Sequence, residues 1–501
     1  MCLFLQIITY FCVVTLLHLV RIIMSQKKYF SLLFFAVINF YSNAQSRQWS
    51  LEECVKYALD HNISIRQSEL DAQTAQIDKK DAFGSFLPTA SASASHSWNI
   101  GLNQDITTGI LQNQTTQFTS AGASVGIDIY KGLQNLNTLR RANLSIVAAK
   151  YQLQKMKDDI ALNVANAYLQ VLFNKENLKV QNDQLAIDDK QLNRTQELVN
   201  AGNLPKGDLL DVKATIAADN QKIISAENAL LISKLSLAQL LQLESFDNFE
   251  IADSNEFQMD QSILAETPTA IYNKAKEERM ELKIAQTNLE IAQKNVDIAR
   301  GAYQPTLRGF YNFNTRVAYA DRVVGVEPNL SNPTSVIGYV EGTNQNVLQP
   351  NYSSVIGGAD TFFNQFMDNK GQSFGVQLSI PVFNGFSVRN NVQRNKVSFE
   401  KSKIALEQQE LDLERNVYTA FTDAKGALKA YESAVQALDA RTESYNYAKE
   451  KFEVGLMNSF DLSQSQTLFS AAQSEVLRTK YDYIFKTKIL EFYFGIPIIK
   501  N

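Results

Sequence analysis

Two stretches of this chain run too long without a helix breaker to belong to an ordinary compact domain. Leu133 to Ala201 contains neither glycine nor proline, and Phe386 to Val454 is interrupted only by Gly426. At about 1.5 Å of rise per residue, a helix of roughly 65 to 70 residues extends on the order of 100 Å. Each stretch therefore builds a rod-like coiled coil or lines a tunnel. Each ends at a glycine, Gly202 or Gly455, after which the pattern predicts a shorter returning helix.

Both stretches are parts of a duplication, the feature that decides how such a chain is divided. At an offset of 217, Ala58 falls on Ala275, Ala75-Gln76 on Ala292-Gln293, Gly84 on Gly301, and Pro88-Thr89 on Pro305-Thr306. At an offset of 253, Gly132 falls on Gly385, Asn163-Val164 on Asn416-Val417, Gly202 on Gly455, and Asp208-Leu209 on Asp461-Leu462. The difference between 253 and 217 is an insertion of 36 residues between Thr306 and Gly385. Copy one is assigned to residues 45–245 and copy two to 267–501, with a Ser- and Asp-containing linker, 246–266, between them.

Each copy reads as helix, two strands, two long helices. Ser50-Leu51-Glu52-Glu53 is a capping-box pattern, and Thr267-Pro268 sets a cap before a proline at the first helical position. Leu282, Ala285, Leu289, Ala292, Val296 and Ala299 form a heptad seam. Helical pattern stops at Gly84-Ser85-Phe86-Leu87-Pro88 and at Gly301-Ala302-Tyr303-Gln304-Pro305.

Period two follows. Ala90, Ala92 and Ala94 alternate with serines, Val125, Ile127 and Ile129 with Gly126, Asp128 and Tyr130, and Phe374 through Val382 with Gly375, Gln377, Ser379 and Pro381. Strand hairpins are expected at about 86–130 and 305–383, the second carrying an extended loop over 320–370 that is either tolerated decoration or a lid or phage-contact loop. Such strands suit a barrel between lipid and lumen, although half-buried strands of a soluble sandwich alternate in the same way. Four strands cannot close a barrel; three chains supplying four each close one of twelve.

Composition narrows the function. A formal charge of −4 offers no basic surface for phosphates, which excludes a nucleic-acid partner. Three cysteines and three histidines, all scattered, assemble no disulfide framework, metal site or catalytic constellation, so neither an enzyme nor a cofactor is expected. Residues 1–44 read as a signal-peptide region: from Met24 a basic segment and an apolar core lead to Ser42-Asn43-Ala44, a signal-peptidase pattern. Residues 1–23 are then a mis-assigned extension or an added anchor.

The order of these pieces resembles the TolC family of outer-membrane efflux proteins over essentially the whole mature chain. The resemblance rests on the strand-to-helix junctions Asp128-Ile129-Tyr130-Lys131-Gly132 and Ile380-Pro381-Val382-Phe383-Asn384-Gly385, and on the turns after Gly202 and Gly455. It implies a mainly α chain giving four strands to a trimeric, twelve-stranded membrane β-barrel joined to a long α-helical periplasmic barrel. It also implies a passive conduit in the outer membrane, surrounded by lipid, serving a tripartite efflux or type I secretion system. The partners would be two further copies, a periplasmic adaptor (membrane fusion) protein and an inner-membrane pump. A periplasmic structural coiled coil or adaptor is the competing expectation.

By the same resemblance, Asp208 and Asp461, with Asp211 and Gln464 three residues on, match the periplasmic gate. Gln464 stands where the family has a carboxylate, and Met457 where it often has an arginine. The alternative is plain helix capping or a favourable charge at a helix start.

Overall fold

The computed structural model describes residues 48–104, 109–246, 249–252 and 262–497. The apolar N-terminal stretches, the reading at Ala44, Cys2, Cys12 and His18, and part of the 246–266 linker lie outside the described residues. The chain divides into two compact units, one of Met1–Ile63, Lys157–Lys274 and Val417–Asn501, the other of Ser64–Met156 and Ala275–Asn416.

Copy one contains α1 (Leu51–His61), α2 (Ile63–Gly84), α3 (Gln134–Asn200) and α4 (Lys206–Leu241), of 11, 22, 67 and 36 residues. Copy two repeats these four lengths in α5 (Pro268–Glu278), α6 (Met280–Gly301) and, after a short α7 (Phe362–Asp368), α8 (Ser387–Glu453) and α9 (Ser459–Phe494). Ser50 and Glu53 form the reciprocal capping box, and Thr267 Oγ1 accepts from the Ala270 amide at 3.2 Å.

The first helix of each copy, expected to be continuous, is two helices. The break falls at Asn62 in copy one and at Arg279 in copy two, positions related by the 217 offset. Neither residue is a helix breaker; tertiary bonds accompany the break in copy one, and a local ion pair accompanies it in copy two. The Asn62 amide nitrogen donates to the Leu240 carbonyl at 3.2 Å, and the Ile63 N–H to Gln242 Oε1 at 3.2 Å. Arg279, buried, forks onto Glu281 at 2.9 and 3.2 Å and holds that carboxyl below the usual carboxylate range despite burial.

Beside these helices, β1 (Gln48–Trp49) pairs in parallel with β4 (Glu250–Ile251). The main sheet holds β2 (Thr89–Gln104), β3 (Leu111–Lys131), β5 (Thr306–Ala318) and β10 (Gly371–Ser379), all antiparallel, in the order β10-β5-β3-β2. Among the described residues, no further strand pairs with β10 or β2, so both are open edges.

Register fixes two unlike faces. One carries Ala90, Ala92, Ala94, Trp98, Val125, Ile127, Leu307, Tyr311, Phe313, Phe374, Val376 and Leu378. The other carries Ser91 and Ser95, each bonded at 2.8 Å to its cross-strand serine (Ser124, Ser120), with Asn312, Gln377, Arg308 and Arg316, whose guanidinium lies 3.6 Å from the Phe118 ring centroid.

Two expectations need correction here. β10 ends at Ser379, so Ile380, Pro381 and Val382 lie outside the strand; Pro381 has no N–H for a ladder. The 320–370 segment is folded: β6 (Arg322–Pro328) pairs with β9 (Tyr352–Gly357), β7 (Thr334–Tyr339) with β8 (Asn346–Pro350), and α7 follows.

Candidate functional site

The two helix turns are near-copies in their bonding. Gly202 (φ +74°) and Gly455 (φ +75°) occupy the left-handed region that glycine enters without penalty. The following amide reaches back five residues in each, Asn203 to the Leu198 carbonyl at 2.9 Å and Leu456 to the Lys451 carbonyl at 2.8 Å, closing a Schellman turn. The turns pack together: Leu204, Tyr445 and Met457 cover a cluster of Ala448, Phe452 and Leu462. Arg194 adds an ion pair to Glu453 at 3.2 Å, too exposed to contribute more than a few tenths of a kcal/mol. Met457 thus fills an apolar contact where a salt-bridged lock would need a cation.

Neither turn aspartate is an N-cap. Asp208 follows Pro205, which begins α4 without a side-chain cap, and Asp461 follows Asn458, whose side chain accepts from the Asp461 amide at 2.8 Å. Both carboxylates lie in a first helical turn, where the positive end of the helix dipole favours them. Asp208 is half-buried, while Asp211, Asp461 and Gln464 are exposed. Among the described residues Asp208, Asp211 and Asp461 have no ion-pair partner.

A second carboxylate group, not anticipated from the sequence, lies inside the same unit. Asp188 on α3 is buried and accepts from Gln184 Nε2 at 2.8 Å and from Gln466 Nε2 at 2.7 Å. Asp219 on α4, also buried, lies beside it; Asp219 Oδ1 accepts from Lys222 at 2.9 Å, and Oδ2 has no partner among the described residues. Burial above all, with the neighbouring Asp219, pushes the Asp188 carboxyl from 3.8 up to about 7. Burial and the Asp188 charge likewise raise the Tyr445 phenol.

These groups continue a gradient along α3. Its buried residues include Val164, Ala165, Tyr168, Leu169, Val171 and Leu172 in one part, followed by Asn174, and then Gln184, Asp188 and Thr195 toward the turn. Spacing of four and seven along a breaker-free helix was the available signal that Gln184, Asp188 and Thr195 share a seam.

The strand-to-helix junctions are built differently from each other. At both, a left-handed glycine precedes a left-handed non-glycine: Gly132 (φ +57°) and Leu133 (φ +60°), Gly385 (φ +62°) and Phe386 (φ +66°). Leu133 and Phe386 were not singled out by sequence, although each follows a junction glycine. A methyl group on Gly132 would overlap the carbonyl oxygen of Gly301, and one on Gly301 that of Gly132, whereas Gly385 and Gly84 face open space. Tyr130 OH donates to Gln304 Oε1, and Asn135 Nδ2 to the Ser85 carbonyl at 2.9 Å, tying the first junction to the ends of α6 and α2. Pro381 is exposed between β10 and α8.

The family model described as "Outer membrane efflux protein" matches residues 55–242 and 271–490, one segment in each copy. The chain is 22% identical to the outer membrane protein TolC of Vibrio cholerae serotype O1 over 370 residues, covering 73% of this chain and 74% of that one. It is 20% identical to the TolC of Salmonella enteritidis over 457 residues, covering 90% and 82%. The crystal structure of the outer membrane protein VceC from Vibrio cholerae superposes with a TM-score of 0.69 at 13% identity, covering 89% of this chain and 96% of that one. With two matched segments, the open-edged four-stranded sheet and the paired long helices, the chain belongs to the outer membrane efflux protein family and is an outer-membrane channel component of efflux or secretion systems, which sets aside the periplasmic coiled-coil alternative.

Proposed function

We propose that three copies of this chain close one twelve-stranded barrel in the outer membrane, that their long helices form a periplasmic duct, and that an adaptor protein and an inner-membrane pump deliver cargo to it. The observation that carries this reading is the sheet: apolar on one face, polar on the other, and unpaired at both edges. An open edge in hydrocarbon would leave backbone groups unsatisfied, so the ring must close.

The duplication supplies the register of closure. The 253 offset carries β3 onto β10, and the 217 offset carries β5 onto β2. Within the chain Ala121 lies opposite Thr315 and Val125 opposite Tyr311. Repeated across subunits, this places Phe374 opposite Trp98 of the partner subunit and Leu378 opposite Ala94 of the partner subunit. These two pairs set apolar beside apolar, and the same operation on Ser124 and Asn312 sets Gln377 opposite Ser95 of the partner subunit, polar beside polar. By the same operation Gly385 meets Gly84 of the partner subunit as Gly132 meets Gly301.

Asp208 and Asp461, three copies each, would ring the narrow end of the duct, concentrating cations and opposing closure at full ionisation. Opening needs helices to slide past one another. The polar seam of Gln184, Asp188, Asp219 and Gln466 supports that movement, because exchanging hydrogen bonds there costs less than separating an apolar core. Replacing both turn aspartates, Asp208→Ala with Asp461→Ala, should raise single-channel conductance in planar bilayers and lower cation selectivity. Conductance and selectivity identical to the parent protein would remove these residues from the gate.

A further inference from the structure

We infer that α7, in the insertion that only copy two possesses, is an interfacial lipid anchor: it lies on the outer wall of the barrel and places Phe363 and Met367 into the outer leaflet. The inference rests on the proposed barrel, since it takes the apolar sheet face to be the lipid face.

α7 is fastened to that apolar face of β5 and not to the polar one. Phe366 stands 6.4 Å from Phe313 between ring centroids and stacks on Phe362 at 6.1 Å. The Thr315 hydroxyl donates to the Phe366 carbonyl at 2.8 Å, Gln365 Oε1 accepts from the Ala318 amide at 2.9 Å while its Nε2 donates to the Ala318 carbonyl at 2.9 Å, and Asn369 Nδ2 donates to the Arg316 carbonyl at 2.7 Å. Thr315 and Val317 are consequently buried, although the same face is exposed at Phe374, Val376 and Leu378. Thr361 caps the helix, and its side chain accepts from the Asn364 amide. These bonds hold the helix in one orientation.

That orientation leaves a second apolar stripe uncovered. Phe366 faces β5, and Phe362, one turn earlier, stacks on it; Phe363 and Met367, also one turn apart, are 78% and 55% exposed. The stripe continues the exposed apolar face of the sheet, and the only charge on α7 is Asp368 at its last position.

Depth agrees with an interfacial position. A tilted membrane strand needs about nine to eleven residues to span the hydrocarbon. Counted from Thr306, where β5 leaves the helix junction, that span ends near Asn314 to Arg316, and α7 packs over Phe313, Thr315 and Val317. His96, Trp98 and Tyr319 cluster at the same level, with ring centroids at 4.3 and 5.5 Å from His96. An aromatic girdle at the headgroup level is the expected setting for an amphipathic helix.

The test uses tryptophan fluorescence of the full-length protein in phosphatidylcholine vesicles with brominated acyl chains, in a Trp98→Phe background. Phe363→Trp reports on α7, and Phe374→Trp on the sheet face. The expected result is that both lose most of their added emission, with Phe363→Trp quenched more by bromines near the headgroup than by bromines near the chain end. Quenching of Phe374→Trp without quenching of Phe363→Trp would overturn the anchor and leave the barrel standing, whether α7 then proves open to aqueous acrylamide or covered by a partner subunit. Absence of quenching at both positions would overturn the barrel placement itself.

Discussion

Gly132→Ala is expected to destabilise the protomer by roughly 2 to 5 kcal/mol. About 1 to 2 kcal/mol comes from forcing a side chain into the left-handed region, and about 1 to 3 from overpacking against a backbone that cannot yield. The obstacle is the Gly301 carbonyl, part of the last turn of α6, so relief would require moving a helix end already tied through Gln304 to Tyr130. Gly385→Ala meets no atom within its own chain and carries only the backbone cost. Ring closure sharpens the contrast, because Gly385 then packs against Gly84 of the partner subunit. Gly132→Ala is therefore expected to lower the amount of folded chain recovered in the membrane. Gly385→Ala is expected to leave the chain folded and to weaken the oligomer, read as a lower temperature of trimer dissociation in detergent. Equal damage to folding by the two substitutions would remove the distinction drawn between an intrachain and an intersubunit crossing.

Asp188→Asn is expected to abolish a pH dependence of the helices near the turns. The Asp188 carboxyl titrates at about 7 in the folded chain against 3.8 for an unperturbed aspartate. Between those values the folded state holds a proton that the unfolded state has lost. Stability from this site is therefore fully present below about pH 4, falls as pH rises toward 7, and levels off above it. The expected size at pH 8 is a few kcal/mol, distributed among α3, α4 and α9, which supply Asp188, Asp219 and Gln466. Carboxyls held low by arginines, Glu281 and Glu475, act with the opposite sign and are lost only in acid. Comparing parent and Asp188→Asn at the same pH isolates the buried pair. Amide hydrogen exchange in α3 and α4 at pH 5 and pH 8 should show faster opening of the parent at the higher pH and a nearly flat variant. A variant that retains the full pH response would assign it to other groups.

The parts of this architecture legible from sequence are those written in breakers and repeats. A run without glycine or proline from Leu133 to Ala201 could hardly be other than a long helix, and two offsets related every later element. Gly202, Gly455, Gly132 and Gly385 were readable because left-handed backbone leaves glycine as its mark. Leu133 and Phe386 adopt the same backbone without that mark and were missed.

What remained hidden depends on contacts distant in sequence. The breaks at Asn62 and Arg279 involve no breaker residue; in copy one the end of α4 supplies the bonds. Asp188 lies fourteen residues before the turn glycine, where a lone aspartate among many charges reads as solvated surface until α4 and α9 close over it. The insertion has no counterpart in copy one, so no repeat revealed that 320–370 folds into paired ribbons and a helix.

If three chains close one barrel at the register of the internal repeat, Trp98→Cys and Phe374→Cys placed in the same chain form a disulfide between subunits. Directly opposed strand positions lie within the Cα separation a disulfide accepts. Cys54 will not interfere, because burial pushes its thiol up to about 12. The predicted result after mild oxidation of the membrane-embedded protein is a covalent species of three chains and none larger, with no such product when Phe374→Cys is replaced by Gly375→Cys, one residue out of register on the opposite face. Monomers only, or a ladder running beyond three chains, would contradict the closed trimeric ring.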